Sequence, residues 1–149
     1  MKCVVDASVG IKQFIPDPLS PKVNLLFAHL AYPQTEIFVP DLFYIECANI
    51  IWKYVRARQY AVTDVPADLA TLKALPLQAT HSTADVMEEA VSIGLAYGIS
   101  ADDACYVALS QQVSATLLTL DPRLVNALAN TAYDVCSFNN FEVPPLPSI

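Results

Sequence analysis

Glycine is scarce in this chain. Only Gly10, Gly94 and Gly98 occur, so neither a dinucleotide-binding G-x-G-x-x-G nor a Walker A phosphate loop can be written anywhere. The four cysteines, Cys3, Cys47, Cys105 and Cys136, lie far apart and form no C-x-x-C pair. That excludes a zinc knuckle and a thioredoxin-like motif, and the cysteines read as small buried apolar residues in a reducing compartment. Histidine is limited to His29 and His81, neither with an obvious catalytic partner, and both read as packing or surface residues. No stretch approaches the ~20 apolar residues of a membrane span. The N-terminus reaches Asp6 after three apolar residues, too soon for the core of a signal peptide. A soluble cytoplasmic protein is expected. Cations are also few, with 8 Lys and Arg against 15 Asp and Glu and a formal charge of −7. Such a balance argues against a broad basic surface for nucleic acid, so contact with a polyanion would rest on a few local cations.

What the chain has instead is apolar bulk: 54% hydrophobic and 15% charged residues over 149 positions, enough for one domain that needs no disulfide. The runs Cys3-Val4-Val5, Ile37-Phe38-Val39 and Thr116–Leu120 predict strands buried on both faces, and Tyr133–Cys136 is a weaker candidate. Between them lie punctuated helices. Ser20 and Pro21 open one that Pro33 closes, and Ser82 opens one that Gly98 ends. Further helical patterns cover 41–59, 66–75, 101–112 and 122–129. The alternation predicts an α/β fold with a mainly parallel central sheet flanked by helices. No repeat or linker marks a boundary. The tail Val143-Pro144-Pro145-Leu146-Pro147 reads as a loose end, or at most an arm packed on a neighbour.

Chemistry concentrates in the acids. Asp6 follows the first strand and Asp121 follows the strand ending at Leu120, and in open α/β sheets the strands' carboxyl ends face the ligand crevice. Each also has a plain structural reading as a helix N-cap, with Pro122 after Asp121. Asp102 and Asp103 follow Ser100, where a capping box and the helix dipole favour acids and keep them ionised. Glu46 escapes the capping explanation because it sits in a helix's second turn. At about 100° per residue, Glu46, Asn49, Lys53 and Arg56 share a polar stripe. The rest of that helix, with Phe43, Ile45, Cys47, Ile50, Ile51, Trp52 and Val55, is apolar enough to predict deep burial. The stripe then faces either water or a cleft. Gathered carboxylates repel by about 4 kcal/mol per pair at about 4 Å and an effective dielectric of about 20. An oxygen-preferring divalent cation, Mg²⁺ or Mn²⁺, offsets this without histidine or cysteine ligands. Such ions hydrolyse phosphodiesters.

In order, these segments resemble the PIN-domain family, and within it the VapC-type toxins of bacterial toxin–antitoxin pairs. Val4-Val5-Asp6-Ala7-Ser8-Val9 resembles the opening strand with its first acidic ligand and a following hydroxyl residue. Pro40-Asp41-Leu42 leading to Glu46-Cys47-Ala48-Asn49 resembles the second motif. Gly98–Leu109, containing Asp102-Asp103-Ala104, is similar to the third and selects Asp103 as the ligand beside an auxiliary Asp102. Leu118-Thr119-Leu120-Asp121-Pro122 resembles the fourth. The resemblance implies that 1–149 is a single PIN-like nuclease domain, a Mg²⁺-dependent endoribonuclease that is usually a homodimer inhibited by an antitoxin protein. Asp6, Glu46, Asp103 and Asp121 would be its catalytic and metal-binding residues, with Ser8, Asn49, Thr119 and Asp102 in support. Lys53 and Arg56 are expected to contact the RNA backbone. Two rival readings are a haloacid dehalogenase-type phosphatase and a PIN-like module that only binds protein. The first needs an acid two residues after the nucleophile, where this chain has Ser8. The second predicts loss of at least one acid, and none is missing.

Overall fold

A computed structural model describes residues 1–148. Strand β1 (Lys2–Val5) lies inside the sheet, with β2 (Glu36–Phe38) on one side and β3 (Thr116–Thr119) on the other; β3 then pairs with β4 (Val135–Ser137). The order is β2-β1-β3-β4 and every pairing is parallel, in the registers Cys3–Ile37, Cys3–Thr116 and Leu117–Val135. Parallel strands need crossovers, and helices supply them. After β1 come α1 (Ala7–Gly10) and α2 (Ser20–Ala28). Between β2 and β3 lie α3 (Leu42–Arg56), α4 (Val65–Ala74), α5 (Thr83–Tyr97) and α6 (Ala101–Val113). Helix α7 (Pro122–Leu128) joins β3 to β4. Val4, Val5, Ile37, Leu117 and Leu118 are fully buried, which explains why the strands read as continuous apolar runs rather than alternating ones. The chain leaves β1 toward β2 and returns on the opposite side as β3. The carboxyl ends of β1 and β3 therefore flank a topological switch point, where a crevice opens.

The helix punctuation acts as its chemistry requires. Ser82 Oγ accepts from the Asp85 N–H at 3.3 Å, and Gly98 ends α5 in the left-handed region at φ 71°. Ser100 then caps α6 by accepting from the Asp103 N–H at 3.4 Å. Gly10 permits a close approach, because a Cβ there would lie 2.7 Å from Cζ of the fully buried Phe43. Helix α1, which carries the chain away from Asp6, is thereby held against α3. The outer edge of β2 is covered by a single strand-like residue: the Gln78 N–H donates to Ile37 O at 2.8 Å, and Gln78 O accepts from the Val39 N–H at 3.0 Å. That removes an open edge available for pairing with another chain.

Three sequence expectations change. The last strand is displaced to Val135–Ser137. The proline-rich tail is tied to its own chain, with Val143 packed on the core and the buried His29 bonded through Nε2 to Pro144 O at 2.8 Å. Helix α3 is not deeply buried all round. It buries Phe43, Cys47 and Ile51, spaced one turn apart, while Ile45 and Trp52 are 70% and 52% exposed. Among the described residues no helix is long and apolar enough to cross a membrane.

Candidate active site

Asp6 is placed by the end of β1 and oriented by the Ser8 hydroxyl. Its Oδ1 accepts from Ser8 Oγ at 2.5 Å and from the Val9 N–H at 3.3 Å, so it also N-caps α1. Ser8 Oγ accepts in turn from the Leu120 N–H at 3.0 Å. Thr119 stands close enough for its hydroxyl to lower the Asp6 pKa, while its Oγ1 accepts from the Asp121 N–H at 3.0 Å. A hydroxyl has one proton and two lone pairs. Ser8 gives its proton to Asp6 and takes one from the backbone leaving β3, which ties the carboxyl to both central strands. Burial pushes the Asp6 pKa up to about 6, against the lowering effect of the Ser8, Thr119 and Val9 hydrogen bonds, and the charge on Asp103 adds to the rise.

The other acids arrive from three helices. Asp121 caps α7, its Oδ1 accepting from the Arg123 N–H at 2.9 Å. The Arg123 side chain is 3.7 Å from the same oxygen but almost wholly exposed, so this ion pair contributes little. Asp103 stands in the first turn of α6. Burial, followed by the negative charges of Asp102 and Asp121, holds it above the usual carboxylate range despite a hydrogen bond from Ser100. The ionising influence expected of the helix start is outweighed there. Glu46 extends from the second turn of α3, and burial with the charges of Asp102, Asp103 and Asp6 raises its pKa against the effect of Tyr106.

Asp6, Glu46, Asp103 and Asp121 line one cleft of 290 Å³, together with Ser8, Asn49, Lys53, Asp102 and Tyr106. Asp6 and Asp121 each cap a helix through Oδ1 and still border the cleft, so capping does not remove either from it. Thr119 is completely buried behind Asp6. Arg56 is absent from the cleft and lies over the Trp52 ring at 5.0 Å. Helical geometry explains the split: Lys53 is about 20° from Glu46 around the axis, whereas Arg56 is about 80° away and a turn further along. Tyr106 was not singled out from sequence. Its hydroxyl donates to Glu46 Oε1, 60 positions away in the chain, and its own pKa is driven far upward by burial and by Glu46. The local signal was its position three residues after Asp103 on one helix face.

Among the described residues no three Asp, Glu, His or Cys side chains converge tightly enough to cage an ion alone. The acids are instead spread over the cleft walls, with neither histidine nor cysteine among them. Such a site suits a small hard cation that keeps several of its waters and takes one or two carboxylates, as Mg²⁺ does. It is unsuited to zinc, which prefers closed nitrogen and sulfur coordination.

The sequence matches the PIN domain over residues 3–129, and the chain belongs to the PIN-domain family. It is 35% identical over 129 residues to Ribonuclease VapC3 of Pyrobaculum aerophilum, an alignment that covers 83% of this chain and 92% of that protein. Two solved structures share the fold at 18% identity. The crystal structure of PAE2754 from Pyrobaculum aerophilum superposes with a TM-score of 0.64, covering 91% of this chain and 83% of that one. A toxin–antitoxin complex from Klebsiella pneumoniae gives 0.56, covering 91% and 96%. The haloacid dehalogenase alternative falls with this assignment, and Ser8 serves as a clamp on Asp6 rather than as an acid.

Proposed function

We propose that this protein is a cytoplasmic Mg²⁺-dependent endoribonuclease, with Mn²⁺ able to substitute, and that it is the toxin of a toxin–antitoxin pair. The observation that carries the reading is the convergence of Asp6, Glu46, Asp103 and Asp121 on one cleft in a PIN-family chain. The named ribonuclease relative supports the substrate class. These four acids would surround the cation, one or two as direct ligands and the others through its waters, with Asp102 at its margin and Asn49 offering an amide beside it. When bound, the ion would orient a water for attack on the phosphodiester and neutralise charge on the phosphate. Ser8 keeps Asp6 aimed, with Thr119 behind it, and Tyr106 orients Glu46 by donating to one carboxylate oxygen and leaving the other free. Cleavage of single-stranded RNA by the purified protein, dependent on added Mg²⁺, tests this directly.

Lys53 is the cation of the cleft and would contact an RNA phosphate; Arg56, a turn further on, would at most meet phosphates away from the cut. Lys53→Ala is expected to weaken RNA binding across all sequences and to reduce its salt dependence by about one phosphate contact. Arg56→Ala should change both less. Equal effects, read by fluorescence anisotropy over a salt series, would contradict the distinction.

A homodimer with a groove for an antitoxin protein fits the exposed apolar residues. Ile45 and Trp52 stand out from α3, and Met87, Val91 and Leu95 form a stripe at one-turn spacing on α5. Uncovered apolar residues in such contiguity mark interaction surfaces. Sedimentation at micromolar concentration should show a dimer that Leu95→Lys weakens, and a monomeric wild type would contradict it.

A further inference from the structure

A second groove, of 420 Å³, adjoins the acidic cleft, and the two share Ser8 and Ile50 in their walls. It continues along the carboxyl edge of the sheet, from the end of β3 toward Asn139, just beyond β4. Its electrostatics are opposite in kind. The acidic cleft sets five carboxylates against Lys53. In the second groove the charged side chains are Lys12 and Asp17, paired at 3.2 Å, so they cancel. What remains to bind is flat and uncharged: Tyr54, the aromatic of the lining, and the Asn139 side-chain amide.

Resting on the nuclease reading above, we propose that this groove is a base-recognition subsite for the nucleotide adjoining the scissile phosphate of single-stranded RNA. The groove continues the acidic cleft past Ser8, so a strand whose phosphate lies in the cleft can lay its neighbouring nucleotide there. A neutral groove gives no attraction to a further phosphate but accepts a base. Sequence-selective RNA recognition works on unstacked bases, which stack on aromatic rings and hydrogen-bond along their edges. Tyr54, half-buried on the face of α3 that borders this groove, supplies the stacking surface. Asn139 supplies one donor and one acceptor on a single planar group, which can match a base edge in a way a hydroxyl cannot. The enzyme therefore prefers particular bases at one position beside the cut, and Asn139 sets that preference.

The experiment uses the full chain with a randomised single-stranded RNA pool in Mg²⁺, reading the sequence around each cut. In parallel, a 4-thiouridine-containing oligonucleotide is photo-cross-linked without Mg²⁺ and the attached peptide is mapped. Asn139→Ala, at an exposed position, should flatten the base preference at one flanking position by about tenfold. Tyr54→Ala should raise KM about tenfold for all sequences, and Tyr54→Trp should restore it. The cross-link should map to the peptide bearing Tyr54 or Asn139. Metal-dependent cleavage with preference and KM unchanged in the variants, or cross-links confined elsewhere, would overturn the subsite and leave the nuclease reading intact. Absence of both cleavage and cross-linking would overturn the two together.

Discussion

Asp6→Asn is expected to reduce RNA cleavage by about a thousandfold while the protein remains folded. Asp6 is the most buried of the cleft acids, and Ser8 ties its carboxyl to the backbone leaving β3. Replacing it with an isosteric amide keeps an oxygen to accept from Ser8 and Val9 but removes a charge from the cation site. The loss of charge stabilisation at the phosphate amounts to several kcal/mol, and about 4 kcal/mol is a thousandfold in rate. Gel assays of cleavage, with circular dichroism to verify the fold, check both halves. A variant that cuts RNA within tenfold of wild type would place the catalytic cation elsewhere.

The same substitution should stabilise the protein in the absence of metal. Neutral Asp6 is the form that burial favours, and its pKa of about 6 lies above the ordinary carboxyl value of 3.8. Between these values the native state holds a proton that the unfolded chain has released, so stability falls as pH rises. The benefit is fully present below about pH 4 and lost above about pH 6. Two units correspond to about 3 kcal/mol. Glu46 and Asp103, both raised, act in the same direction. Asp17 and Asp41 are lowered by their hydrogen bonds, so the stability they contribute is lost only at more acid pH. Metal-free wild-type protein should therefore melt several degrees higher at pH 5 than at pH 7, and Asp6→Asn should remove much of that difference by raising the melting temperature at pH 7. This is the expected cost of a site that concentrates charge for function. A metal-free melting temperature independent of pH between 5 and 7 would show that the carboxylates do not strain the fold.

Much of this arrangement was legible in one dimension because its causes are local. Buried parallel strands leave apolar runs such as Cys3-Val4-Val5; Ser82 with Gly98, and Ser100, announce helix ends; Asp6 and Asp121 stand directly after strands. The parts that were not legible depend on what meets what across the fold. The Tyr106–Glu46 hydrogen bond joins two helices whose separation in sequence carries no signal. The apolar residues of α3 indicate which faces avoid charge but not whether anything covers them, so Ile45 and Trp52 were expected inside and lie outside. Arg56 belonged to the polar stripe by type, yet the drift of a helix over three turns carries it out of the cleft. The proline-rich tail offered no periodicity at all, and its anchor, the carbonyl of Pro144, is a backbone atom that no side-chain pattern reveals.

The proposed divalent-cation site would be one site made jointly by these dispersed carboxylates. Calorimetric titration of Mn²⁺ into the metal-free protein at pH 7.5, with Mg²⁺ as competitor, measures this without RNA. Wild type should bind Mn²⁺ with release of protons, Mg²⁺ should displace it, and Asp6→Asn and Asp103→Asn should each weaken binding by at least about tenfold. Mn²⁺ binding of the same strength in wild type and both variants, or none in wild type, would contradict it.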